Sequence, residues 1–134
     1  MRRVKVQHTP RPTDFELSIL RVLWQHGPGS VREVQTRYNE EYKEEAGYTT
    51  ILKMLQIMAD KGLVERDDSQ RPQIYSARLS EEQTQRQLIT DLLDRAFGGS
   101  ARKLVLQALA SEEASERELA QIEKLLDRLE RGVE

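Results

Sequence analysis

With 134 residues, 37% apolar and 33% charged, the chain is the size of one domain, or of one small domain with a packed appendage, and can bury roughly two-thirds of its extended surface. It has no cysteine, which excludes a disulfide scaffold, a thiolate zinc site, a cysteine nucleophile and a thiol redox switch; its apolar runs stop at three residues, as in Val22-Leu23-Trp24, which leaves no transmembrane helix or secretory leader and makes the cytoplasm the expected location. The net charge of −2 argues only weakly against nucleic acid, because residues 1–79 hold 13 basic and 11 acidic side chains while residues 80–134 hold 8 and 12.

The first twelve residues form a basic arm, with Arg2, Arg3, Lys5 and Arg11 and no acid. Four capping boxes then punctuate the chain: Thr13-x-x-Glu16, Ser30-x-x-Glu33, Ser80-x-x-Gln83 and Ser115-x-x-Glu118. In each, a hydroxyl accepts from an orphan helix N–H and the residue three places on reaches back to the cap. The first opens a helix over about 14–26, with Leu17, Leu20, Leu23 and Trp24 on one face, stopped by Gly27-Pro28-Gly29. The second opens a helix from Val31 to about Glu41 with Val31, Val34 and Tyr38 inward. After an acidic stretch and Ala46-Gly47, a third helix begins near Thr49, buries Ile51, Met54, Leu55 and Met58, and ends at Gly62.

The period then changes. Leu63–Arg66 and Ile74–Leu79 read as two strands, joined by the polar cluster Asp67-Asp68-Ser69-Gln70-Arg71-Pro72, and so as a hairpin. From Ser80 onward the pattern is helical again. One helix pairs Leu88/Ile89, Leu92/Leu93 and Ala96/Phe97, Gly98-Gly99 breaks it, and Ser100 caps the next, which carries Leu104, Val105, Ala108 and Leu109. The last helix carries Leu119, Ile122, Leu125, Leu126 and Leu129. Short charged helices cannot bury such stripes alone, so they need a partner.

Helix, helix, helix and hairpin in this order make a mainly α fold with a small β-hairpin: a winged helix-turn-helix domain (13–79) between the basic arm (1–12) and a helical dimerisation region (80–134). In that geometry the third helix packs its apolar stripe on the first and offers its other side to a DNA major groove. Thr49, Lys53, Gln56 and Asp60 fall on that outer side, with Thr50 beside them and Tyr48 just ahead. Hydroxyls suit phosphate or base edges, an ammonium suits phosphate or guanine, and an amide suits adenine. Alternatively Thr49 or Thr50 caps the helix and Lys53 and Gln56 are merely solvated; the hairpin and the basic arm with Arg11 tip the reading toward DNA contact. Arg66 and Arg71 flank the wing tip, where they lie along a phosphate backbone or pair locally with Asp67 and Asp68.

At this point a family pattern is visible. The segments Leu17–Trp24, Gly27-Pro28, Val31–Val34, Tyr48–Met58, Lys61–Val64, Phe97–Ser100, Leu104–Leu106 and Glu118–Leu126 resemble the penicillinase-repressor (BlaI/MecI-type) family of bacterial winged-helix regulators over about residues 13–130. The resemblance implies a homodimeric repressor on a palindromic operator, its C-terminal helices interlocked through Leu88, Leu92, Leu93, Phe97, Leu104, Leu109, Leu119, Ile122 and Leu126. Copper-sensing relatives carry paired cysteines that this chain lacks. Penicillin-responsive relatives are cut at an Asn–Phe bond by a membrane-bound metalloprotease sensor; the equivalent here is Gln107-Ala108, which leaves the protease specificity and the inducing signal open.

Little else suggests chemistry. His8 and His26 lack metal-ligand spacing, the glycines form no phosphate loop, and no carboxylate pair is set apart from the solvated helix faces, so no metal, cofactor or enzymatic activity is expected. The alternative function is a winged-helix adaptor that binds proteins through its acidic C-terminal half rather than DNA.

Overall fold

The computed structural model describes residues 11–111 and 115–130. The basic side chains Arg2, Arg3 and Lys5 of the expected arm, and His8, lie outside the described residues. Among those described, the order is α1 (Asp14–His26), α2 (Val31–Tyr42), α3 (Tyr48–Asp60), β1 (Val64–Asp67), β2 (Ile74–Ala77), α4 (Glu81–Ala96), α5 (Ala101–Ser111) and α6 (Glu116–Glu130). The chain divides into two compact units between Ile89 and Thr90, within α4.

The capping boxes set the helix starts. Thr13 Oγ1 accepts from the Glu16 N–H and the Glu16 carboxylate accepts from the Thr13 N–H. The same reciprocal pair forms at Ser30 and Glu33, Ser80 and Gln83, and Ser115 and Glu118. At the other end of α1, Gly27 takes φ +86 while its N–H bonds to the Leu23 carbonyl, a backbone state that a side chain would strain.

The core of the first unit gathers Ile19, Leu20, Val22 and Leu23 from α1, Val31 and Val34 from α2, Ile51, Leu55 and Met58 from α3, and Leu63, Val64 and Tyr75 from the hairpin. Ile19 and Val22 are buried although they stand off the stripe read from the sequence. The reason is that α1 is packed on two sides, by α2 and by β2. Trp24 is a core anchor as its position suggests, and its indole N–H donates to the Leu79 carbonyl at 3.0 Å.

β1 and β2 pair antiparallel in the register Val64↔Ala77 to Asp67↔Ile74. Both strands differ from the sequence reading: β1 is one residue further on, and β2 stops at Ala77. Leu63 keeps only half of the next ladder pair: its carbonyl accepts from the Arg78 N–H, but its own N–H bonds back to the Met58 carbonyl at the end of α3. The α1–α2 connection joins this sheet by a bridge between Gly29 and Tyr75, whose backbone groups exchange bonds of 3.0 and 2.8 Å. The wing is thereby stitched to the helical part at its centre.

In the second unit, α5 and α6 contain no buried residue among those described. Leu92, Val105, Leu106, Leu119, Leu125 and Leu126 all stand exposed on these helices and on the end of α4.

Candidate nucleic-acid interface

The placement of α3 is fixed from three directions. Its N-terminal approach is held by α2: the Asn39 side chain donates to the Ala46 carbonyl and accepts from the Ala46 N–H, at 3.0 and 2.9 Å, and the Gln35 amide donates to the same carbonyl at 3.1 Å. Its middle is held by the apolar stripe Ile51, Leu55 and Met58. Just past its end, Lys61 Nζ lies 2.9 and 2.8 Å from the two carboxylate oxygens of Glu16 on α1. The apolar stripe of α3 shares one core with α1, α2 and the hairpin, and its backbone also lies alongside α2 and β1.

Glu16 is nearly inaccessible, with 3% of its side chain exposed, while Lys61 keeps 30%. Burial alone would push the Glu16 carboxyl up, but the hydrogen bonds from Lys61 and Thr13 and the charge of Lys61 outweigh it and hold the group below the ordinary glutamate value. The capping glutamate of α1 is therefore also the anchor of α3.

With the apolar side fixed inward, the polar side faces out. Tyr48, Thr49, Thr50, Lys53, Gln56 and Asp60 are all exposed. Neither threonine caps the helix. The N-cap is Gly47, which has no side chain to offer, and no acid stands in the first turn. The leading N–H groups of α3 thus have no side-chain cap, and they stand at the positive end of the helix dipole, an arrangement that favours an anion. Among the described residues no side-chain partner engages Lys53 or Gln56.

One neighbour was not singled out in the sequence. The Arg32 guanidinium of α2 lies 4.8 Å from the centre of the Tyr48 ring and donates to Gln35 Oε1 at 3.2 Å. It adds a cation beside the start of α3. Nothing in the local sequence marks it, because the two residues are sixteen apart and meet only once the α2–α3 turn is closed.

The wing residues are less available. Arg66 Nε pairs with Asp68 Oδ1 at 2.8 Å, and Arg71 folds back to donate to the carbonyls of Asp68 and Gln70. Asp67 accepts from Ser69 and from the Gln70 amide, which hold its carboxyl below the usual range. A local Arg–Asp pair is thus formed at Arg66, while Arg71 is held by backbone carbonyls rather than by a carboxylate. Arg11 is exposed ahead of α1.

The residues proposed from the sequence for dimerisation fall into two sets. Leu92, Leu119 and Leu126 are exposed, whereas Leu88, Leu93, Phe97, Leu104, Leu109 and Ile122 are part-covered. Gln107 and Ala108 lie inside α5 with exposed side chains, and both carbonyls accept from the Ser111 hydroxyl. Among the described residues no cluster of side chains fits a metal ion, and no helix is long and apolar enough to cross a membrane.

Comparison with known proteins agrees with this architecture. A family model described as penicillinase repressor matches residues 12–128. The solved complex structure of hsRosR-S4 superposes with a TM-score of 0.50 at 16% identity, covering 92% of this chain and 93% of that one. The complex structure of hsRosR-S1 superposes with a TM-score of 0.51 at 19% identity, covering 92% and 96%. At these identities the likeness is one of fold. No curated protein matches the chain significantly.

Proposed function

Because this chain belongs to the penicillinase-repressor family, we propose that it is a DNA-binding transcriptional repressor acting as a homodimer on a palindromic operator. The observation that carries the reading is the outer side of α3, where Thr49 and Thr50 stand exposed at the open N-terminal end and Lys53 and Gln56 stand exposed further along a helix held in place on its other side. A major groove accommodates one helix. Docked there by its N-terminal half, α3 meets a phosphate at its first turn, with Tyr48 and Arg32 alongside, and directs Lys53 and Gln56 to base edges. Lys53 suits guanine O6 and N7, and Gln56 suits adenine N6 and N7. Arg11 adds charge from the arm. Arg66 and Arg71 contribute less, since each would first give up a partner within the wing.

Dimerisation follows from the exposed leucines of the second unit, which a second copy would cover. A two-fold dimer sets its recognition helices on successive turns of one DNA face, about 34 Å apart. It also makes the second half-site contact intramolecular, so the affinity of the pair far exceeds that of one copy. Relief of repression is then simple to achieve. A cut between Gln107 and Ala108 by a membrane-bound metalloprotease sensor detaches α6, and with it Leu119, Ile122 and Leu126. Such a cut requires the middle of α5 to unwind first, since a protease reads extended backbone. The adaptor alternative, which would work through the acidic C-terminal half, predicts instead that no DNA sequence is bound preferentially.

The test is footprinting of the full-length protein on its own promoter across a salt series. The expected result is two protected patches one helical turn apart on one DNA face, with log affinity falling steeply against log salt. Binding no tighter than to random DNA would reject the reading.

A further inference from the structure

The outer side of α3 contains one residue that its polar chemistry does not explain. Ile57 is 40% exposed, and it stands one helical turn beyond Lys53 and next to Gln56, among the groups assigned above to base contact. It is not part of the apolar stripe Ile51, Leu55 and Met58, and it is absent from both the buried core and the apolar residues packed against it. We propose that Ile57 is a specificity-determining residue that reads the 5-methyl group of a thymine in the major groove. The proposal rests on the DNA-binding reading and adds to it a base that the polar residues alone do not select.

The chemistry is one of complementary surfaces. Thymine differs from the other bases in the major groove by its methyl group, which is recognised by apolar contact. An exposed branched aliphatic side chain has nothing to offer phosphate, and in water it gains nothing. Against a methyl, both surfaces leave water together. Geometry also places the base. Four residues of α-helix rise about 6 Å, and base pairs are stacked at about 3.4 Å. The thymine read by Ile57 therefore lies within about two steps of the base contacted by Lys53, on the side away from the N-terminus of α3. A guanine and a thymine at that spacing, repeated with two-fold symmetry, form the expected core of each half-site.

The experiment begins by selecting duplexes from a random pool with the full-length protein. Each thymine of the selected half-site is then replaced singly by deoxyuridine, which removes only the methyl, and affinities are measured for wild type, Ile57→Ala and Ile57→Val. For one thymine the replacement should weaken wild-type binding about fourfold, the equivalent of one buried methyl at about 0.8 kcal/mol. Ile57→Ala should bind the thymine and uracil duplexes equally at that position while retaining sensitivity elsewhere. Ile57→Val, which keeps the β-branch and loses only the terminal methyl, should retain most of the discrimination. If every deoxyuridine substitution affects wild type and Ile57→Ala alike, the assignment to Ile57 is wrong although the DNA-binding reading stands. If the pool yields no enriched sequence, both fall.

Discussion

Replacing Lys61 by methionine tests whether α3 is anchored as described. The substitution keeps an unbranched chain of similar length and removes the ammonium from two contacts of 2.8–2.9 Å with a carboxylate that has 3% of its side-chain surface exposed. Glu16 would retain the Thr13 N–H as its partner and no neutralising charge. Removing one member of a fully buried pair costs about 3–5 kcal/mol; because Lys61 is itself partly solvated, a loss nearer 2 kcal/mol is expected, in line with a hydrogen bond to a charged group. The pH dependence gives the sharper signature. The Glu16 carboxyl is held below its ordinary value in the fold, so its contribution is complete above the unfolded value near pH 4.3 and is lost as pH falls through the folded value. In Lys61→Met the buried carboxyl instead gains from protonation. Urea unfolding should therefore show a gap between the two proteins of about 2 kcal/mol at pH 7, narrowing as pH is lowered through the glutamate range. A gap under about 0.5 kcal/mol, the size of an ordinary surface substitution, or one that stays constant down to pH 3.5, would refute the anchoring role.

Other expectations are equally direct. Lys53→Ala should weaken binding to a selected duplex by about 1–3 kcal/mol and relax preference at one base if Lys53 reads a base edge, as measured by fluorescence anisotropy; an unchanged affinity would remove it from the interface. Asn39→Ala deletes both side-chain bonds to Ala46 and should cost about 1–3 kcal/mol in urea unfolding, with faster amide exchange in the first turn of α3; unchanged exchange there would show that the turn is set by other contacts. Leu126→Asp places a charge among the exposed leucines of α6 and should convert a dimer to a monomer in sedimentation equilibrium at micromolar concentration, whereas a monomeric wild type would contradict the dimer itself.

What was legible in the sequence was local. The capping boxes at Thr13, Ser30, Ser80 and Ser115 name both partners within four residues, and all four form. Trp24 showed its role by its place at the end of an apolar stripe, and the outward set on α3 followed from helical periodicity alone. What was not legible depends on closure of the chain. The Lys61–Glu16 pair spans forty-five residues, and the Gly29–Tyr75 bridge links a turn to a strand; neither leaves a periodic trace. Arg32 reads as one more solvated arginine until Tyr48 is brought beneath it. The start of α3 shows the difference well. Its threonines suggested a cap by residue type, yet Asn39 and Gln35 fix Ala46 so that Gly47 becomes the boundary. The strand ends moved for a similar reason, because Leu63 is tied to the end of α3.

The central claim is that the outer side of α3 is the surface that meets DNA. Amide chemical shifts of the full-length labelled protein, recorded with and without a selected operator duplex, test it most directly. The expected perturbations are largest at Tyr48–Gln56 and at Arg32, with smaller changes at the wing. Tight binding with those amides unmoved, and shifts confined to residues beyond Ser80, would contradict it.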